Sequence, residues 1–492
     1  MSLNYKQVGF IAGLLAFTIL LYIPKPDGMT SEGQSIMAIA ALMALWWIFE
    51  ALPLAVTSLL PLVLYPVLGV MDTPSAAAPF AHHVNFLILG GFFIGLTIEK
   101  WNLHQRIALS IIYRIGSSSS AIMLGFMIAS FVLSMWISNV ATALMMVPIG
   151  MAVTDQFIKI RSGKTDERTK VKFGLGLMLS IAYAGNLGGM STLIGTPCNA
   201  LLAGMVNDIY GQEINFLDWF KLAFPFGIVM LIVTWIYLSK VAFKVNWGHS
   251  HEGHKMIGDQ LKSLGPVTKA EKYALTILIL TAISWVLRSM VTIAWVKSIN
   301  DATIAIFFGI TAFMVPVDWK KKTFLLDWKT TKKLPWGILL LMGGGLTLAK
   351  GINETQLDAW MISQLVSLEN SSLFIIILTI VIFTIFFTEI TSNTAAVSVM
   401  IPLLSSLAAA IGVHPYAIIM SAGMAVSFAF MLPMATPGNS VIFSSPYVTV
   451  PKMARTGFIL NVIGIVLIPI LILVVLPKVW DINILILPEW AK

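Results

Sequence analysis

Apolar runs of about 20 residues, the length a helix needs to cross roughly 30 Å of hydrocarbon, recur from one end of the 492-residue chain to the other with short polar breaks between them. A bilayer offers no water to unpaired backbone groups, so such a chain must close its N–H and C=O groups within helices. A soluble globule fails on composition. With 58% hydrophobic and 11% charged residues, there are too few polar side chains to cover a surface of this size. The pattern predicts an all-α polytopic membrane protein of about eleven crossings, including re-entrant elements. The first run, residues 8 to 23, has a lysine before it and no small-residue cleavage pattern after it, and reads as a retained helix.

The net charge of +8 could suggest nucleic acid, but its distribution argues for orientation in a membrane. Lys and Arg collect in "KIRSGKTDERTKVK" (159 to 172), in the segment from Lys244 to Lys272 and in "DWKKKTFLLDWKTTKK" (318 to 333), while the breaks at 71 to 83, 351 to 371 and 413 to 415 contain none. Cytoplasmic loops of membrane proteins are enriched in these residues, so the basic breaks and the N-terminus are expected in the cytoplasm, with the chain in the plasma or inner membrane. The single cysteine, Cys198, excludes an internal disulfide and reads as a small filler.

Three stretches imitate soluble chemistry. "SGKT" (162 to 165) ends like a phosphate loop, but the leading glycine of that pattern would fall at Ile158, in no strand-to-helix turn. "HSHEGH" brings His249, His251 and His254 together; a solvated loop is expected there before a metal site. "NET" at 353 and "NSS" at 370 fit the glycosylation pattern on the expected outer side.

The stronger signal is a repeat. "WISNVATALMMVP" (136 to 148) has a near copy in "ITSNTAAVSVMIP" (390 to 402). A glycine-rich element precedes each, "LILGGFFIGLTIEK" (87 to 100) and "LLLMGGGLTLAK" (339 to 350), and a Thr-Pro element follows each, "IGTPCNALL" (194 to 202) and "MATPGNSVI" (434 to 442). Three matches in the same order are not a chance feature. The first glycine-rich element runs toward a basic break and the second away from one, so the halves are expected to be inverted, as in secondary transporters. The boundaries are 1–243 and 273–492 for the repeats, with 244–272 connecting them in the cytoplasm.

Ser138-Asn139 and Ser392-Asn393-Thr394 would each sit at the turn of a re-entrant hairpin and cap the next helix, since Ser and Asn accept the free N–H groups of a first turn. Thr196-Pro197 and Thr436-Pro437 would restart helices broken in mid-membrane, with Thr as cap and Pro at the first helical position. Each helix start carries about half a positive charge, so four converging starts present roughly +2 without Lys or Arg, which suits a dianion. Hydroxyls, amides and backbone N–H groups would take carboxylate oxygens, and free carbonyls at the hairpin turns could hold Na⁺. The formal charges expected at or within the apolar segments are only Glu50, Glu99, Arg288 and Glu389, too few for a proton relay or a charged filter. Glu389 is expected to steady its hairpin.

These motifs resemble the divalent anion/sodium symporters, the INDY-type di- and tricarboxylate transporters, over nearly the whole chain. The resemblance implies a homodimer whose protomers contain a scaffold domain and an elevator-type transport domain carrying both hairpins. It places C4 and C5 dicarboxylates at Ser138, Asn139, Ser392, Asn393, Thr394, Thr436 and Pro437, and Na⁺ near Ser134, Ser138, Asn139 and Gly195 in one half and Thr388, Asn393 and Ala435 in the other. Val140 departs from it, standing where the family pattern has Thr. As the family holds both sodium-coupled symporters and sodium-independent exchangers, this departure tilts the reading toward exchange, with symport as the alternative. An anion channel would need a continuous pore, and a membrane enzyme would need clustered His, Asp or Glu at membrane depth; neither pattern is present in the sequence.

Overall fold

The computed structural model describes residues 4–160, 167–244, 251–291, 298–365 and 371–491. Its elements are helices throughout, apart from a two-stranded antiparallel hairpin, Pro316–Asp318 with Thr323–Phe324. That hairpin lies in the basic break where only a loop was expected. Asp318 makes it: its Oδ1 accepts the N–H groups of Lys320 and Lys321 at 2.9 and 3.1 Å, an Asx-type turn that lets the chain double back.

Among the described residues eight helices are long and apolar enough to span a bilayer, and five shorter apolar helices accompany them. The shorter ones include Ser119–Ser134 and Asn139–Asp155, which form a hairpin, and Asp301–Met314. The helices carry apolar side chains on all sides, and many of those facing outward, such as Leu15, Val63, Ile375 and Val466, are more than half exposed, as expected where lipid replaces water.

The two halves repeat element by element. In the first, Leu103–Ile115 is followed by the hairpin, the long helix Glu167–Met190, the Thr-Pro helix Pro197–Tyr210 and Phe216–Ile236. In the second, Leu357–Leu365 is followed by the hairpin Leu373–Ile390 with Asn393–Ala410, then Pro415–Ala425, the Thr-Pro helix Pro437–Phe443 and Val450–Ile470. The halves also exchange contacts: Asn139–Ile160 packs on Pro437–Phe443, and Asn393–Ala410 on Pro197–Tyr210. Both glycine-rich helices use missing side chains to admit a neighbour's backbone. A Cβ on Gly90 would stand 2.4 Å from the Ala305 carbonyl carbon, and one on Gly344 2.3 Å from the Ser58 oxygen.

The histidine-rich break is not simply a solvated loop. His251–Ser263 is helical and packs on Leu103–Ile115 and Asn139–Ile160; the ring of His254 stacks on Tyr113 at 4.3 Å. His249 and "SGKT" lie outside the described residues, as does Asn370, whereas Asn353 is exposed. No group of three or more His, Cys, Asp or Glu is placed to hold a metal among the described residues. Buried charge exceeds the four residues expected. Asp301 and Glu271 are each 4% exposed, and both are paired, Asp301 with Arg288 at 2.9 Å and Glu271 with Arg106 at 2.6 Å, as burial of charge requires.

Candidate functional site: two hairpin tips and two broken helices

Residues 135 to 138 close the first hairpin and residues 391 and 392 the second. Ser138 caps as expected, its Oγ accepting the Ala141 N–H at 3.1 Å. Asn139 does something else. Standing at the first helical position, it turns its side chain back across the hairpin, where its Oδ1 accepts the Ser134 hydroxyl and its Nδ2 lies 3.4 Å from Asn186 Oδ1. The second half repeats this: Thr388 donates to Asn393 Oδ1, and the same Thr388 oxygen is 3.2 Å from the Val426 carbonyl. Ser392 makes no side-chain cap. The expectation that Ser and Asn both cap is therefore corrected. The asparagines tie the last turn of one arm to the first turn of the other and gather carbonyl and hydroxyl oxygens at each tip.

The Thr-Pro elements restart their helices at Pro197 and Pro437. Thr436 caps through Asn439 N–H at 3.2 Å, but Thr196 does not. Its hydroxyl lies 3.0 Å from the Sγ of buried Cys198. Gly438 occupies that position in the second half, leaving the Thr436 hydroxyl to the backbone. Cys198 is thus more than a filler, since it claims the oxygen that would have capped.

Asn199 and Asn439 complete these elements. Asn199 Nδ2 donates to the carbonyls of Gly189, Met190 and Thr192 at 3.2, 3.3 and 2.8 Å, and Asn439 Nδ2 to those of Ala429 and Leu432 at 2.8 and 3.1 Å. Each stitches an unwound segment to the helix that follows it. Both were legible as the Asn three residues after Thr in "TPCN" and "TPGN". The first segment also needs glycine at Gly195, where a Cβ would come within 2.4 Å of the Gly189 oxygen.

The halves meet here. Asn186 Nδ2 donates to the Ala429 carbonyl at 3.3 Å and Tyr183 Oη to that of Phe430 at 2.8 Å, so the long helix of the first half grips the unwound segment of the second. A Cβ on Gly438 would lie 3.6 Å from the Asn139 carbonyl oxygen, placing the second Thr-Pro start against the first hairpin tip. Asn139, Asn186, Gly189, Gly195, Thr196, Thr436 and Gly438 therefore form one polar junction, while Thr388, Asn393 and Val426 form its counterpart at the other tip. Ser138 and Pro437 are exposed, and Asn139, Ser392, Asn393, Thr196 and Pro197 are partly so; Thr394, Ala435 and Thr436 are buried. Val140 is half-buried beside Asn139 and leaves the Ser134–Asn139 pairing intact. Glu389 steadies more than its own hairpin, since its carboxylate accepts backbone N–H groups of the neighbouring unwound segment.

A site of amide and hydroxyl groups at helix starts, within a polytopic helical body built as two matching halves, defines a secondary transporter by class. The chain belongs to the family described as the sodium:sulfate symporter transmembrane region, which matches residues 4–486. It is 40% identical over 487 residues to the sodium-dependent dicarboxylate transporter SdcS of Staphylococcus saprophyticus, covering 98% of this chain and 94% of that protein. The SdcS of Staphylococcus aureus strain NCTC 8325 is 40% identical over 482 residues, covering 97% and 93%. Two solved transporters share the fold at 12% identity: MtrF of Neisseria gonorrhoeae, with a TM-score of 0.59 over 98% of this chain and 96% of that one, and YdaH of Alcanivorax borkumensis, with 0.58 over 96% and 98%.

Proposed function

We propose that this protein is a sodium-coupled symporter of C4 and C5 dicarboxylates, working as a membrane transporter and not as an enzyme or an anion channel. The observation that carries the reading is the matched oxygen pair at each hairpin tip, Ser134 with Asn139 and Thr388 with Asn393. Hard cations of this kind take oxygen ligands, and the pairing survives beside Val140. The names of the 40% identical relatives favour sodium coupling over the exchange toward which Val140 tilted the sequence reading.

In this reading Na⁺ is held near Ser134, Ser138, Asn139 and Gly195 and near Thr388, Asn393 and Ala435. The substrate carboxylates are taken by Ser138, Asn139, Ser392, Asn393, Thr394, Thr436 and Pro437, with Thr196 and Pro197 supplying a further helix start. Because each hairpin packs on the other half's Thr-Pro helix, the four elements would move as one transport body, an elevator-type step within a homodimer; a light-scattering mass of one 53.8 kDa chain in detergent would remove the dimer. In proteoliposomes, uptake of labelled succinate should be competed by malate, fumarate and 2-oxoglutarate and not by sulfate. Competition by sulfate alone would overturn the substrate class.

The repeats 1–243 and 273–492, joined by 244–272, are taken as inverted, with the N-terminus and the basic breaks cytoplasmic. Cysteines placed at the exposed positions Thr73 and Lys321, in a Cys198→Ser background, test this in intact cells. The Thr73→Cys variant should react with impermeant maleimide and the Lys321→Cys variant should not. The opposite labelling would reverse the orientation.

A further inference from the structure

We infer that Glu389 is a positioning residue that holds the second unwound segment in its working shape and makes the two cation-holding tips electrically unequal. The inference rests on the sodium-coupled reading and deepens it.

Glu389 is 3% exposed and lies in the last turn of the first arm of the second hairpin. Its Oε1 accepts the N–H groups of Phe430 and Met431, both at 2.9 Å, and the Asn461 amide at 2.8 Å. Its Oε2 accepts the Leu432 N–H at 3.0 Å. Three successive backbone N–H groups form a concavity that takes an anion, and here the anion is a side chain of the same protein. Among the described residues its hydrogen-bond partners are four donors, the donor set of an ionised carboxylate.

The neighbouring Thr388, whose one hydroxyl proton goes to Asn393 Oδ1, also lies 3.2 Å from the Val426 carbonyl. Two consecutive side chains therefore meet both ends of the stretch from Val426 to Leu432, Thr388 at the oxygen cluster of the tip and Glu389 at the three N–H groups. The first half has no such charge. The residue that matches Glu389, three before the Ser-Asn pair, is Met135, and there the unwound segment is held by neutral groups, Thr192 donating to the Met135 carbonyl at 2.7 Å and Asn199 closing the loop. In this proposal the negative charge that Glu389 adds to the second half, where the matching position of the first half is Met135, raises the affinity of the second tip for a cation.

Glu389→Gln keeps the shape and Oε1 but turns an amide N–H toward the Leu432 N–H, so two donors face each other. Glu389→Ala empties the concavity. In proteoliposomes the Gln variant should need about tenfold more Na⁺ for half-maximal succinate uptake, the effect of removing one negative charge from the neighbourhood of the second tip, with the rate at saturating Na⁺ changed less than about twofold. In the Ala variant, amide hydrogen exchange at residues 430 to 432 should accelerate about tenfold or more, while the first half keeps its protection. Added formate, a carboxylate small enough for the vacated space, should restore both protection and Na⁺ affinity in the Ala variant. An unchanged Na⁺ requirement in both variants overturns the electrical part. Loss of protection across the whole chain without formate rescue overturns the positioning part, leaving Glu389 a structural residue only. If the wild-type protein takes up succinate with no Na⁺ dependence, the coupling reading fails instead, and the exchange and formate measurements still decide whether Glu389 holds the segment.

Discussion

Asn139→Ala and Asn393→Ala are each expected to abolish dicarboxylate uptake while the protein still inserts and is purified in the same oligomeric state as the wild type. Both asparagines perform two tasks with one side chain. The Oδ1 of each receives the hydroxyl of the facing arm, Ser134 or Thr388, and the first-turn position puts the amide at the helix start where an anion is favoured. Removing it leaves the fully buried Ser134 hydroxyl without its Asn139 acceptor and leaves Thr388 only the Val426 carbonyl, and on the proposed reading deletes a ligand for cation and substrate. One lost polar interaction is worth about 1 to 3 kcal/mol, so losing two reduces the transport-competent complex by roughly 100-fold or more. Asn139→Asp and Asn393→Asp keep the shape and the oxygen but bring a negative charge to a dianion, and should fail for that different reason. Succinate uptake in reconstituted liposomes, set beside a thermal melt of each purified variant, checks this. Near-normal uptake by either alanine variant contradicts the assignment of that tip.

The parts of the fold that were legible in the sequence were those written in local chemistry. Ser138-Asn139 and Ser392-Asn393 begin helices at the turns of two hairpins, and Pro197 and Pro437 restart broken ones, because a helix start leaves marks within four residues: a cap, a proline, an asparagine. Periodic apolar runs gave the membrane-spanning body for a similar reason. What escaped depends on partners far apart in sequence. Nothing near Glu389 announces that it will accept N–H groups from residues 430 to 432, and nothing near Asn186 says that it will join Asn139 to the Ala429 carbonyl. Asp301 stands at a helix start, where an acidic residue ordinarily faces solvent, and only the packing of two helices turns it onto Arg288. The helix His251–Ser263 was hidden by its histidines and lysines, which are loop-like in composition yet leave an apolar stripe, including buried Ile257, to pack on its neighbours. Asn199 and Asn439 were within reach, repeated at the same distance from Thr-Pro, and only the side-chain role had to be supplied by the structure.

The proposed coupling to sodium rests on charge balance. Four helix starts would carry roughly +2, enough to neutralise a dicarboxylate dianion, so the anion-loaded carrier would be balanced while the empty one would cross with its helix starts unpaired, the behaviour of an exchanger unless a cation takes part. Sodium at the two oxygen clusters changes that balance. With both tips filled the loaded body would carry extra positive charge that the substrate alone does not cancel, and without sodium the partly buried oxygens of Asn139 and Asn393 would face an incoming carboxylate with no cation between them. The decisive measurement is labelled succinate uptake into liposomes reconstituted with the wild-type protein, either empty or preloaded with 2-oxoglutarate, each with and without an inward Na⁺ gradient. Sodium-coupled symport gives accumulation in empty liposomes only with the Na⁺ gradient, an accompanying inward positive current, and little stimulation by internal 2-oxoglutarate when Na⁺ is absent. Uptake that requires internal dicarboxylate and ignores Na⁺ would contradict it, and would make the hydroxyl missing at Val140 the mark of an exchanger.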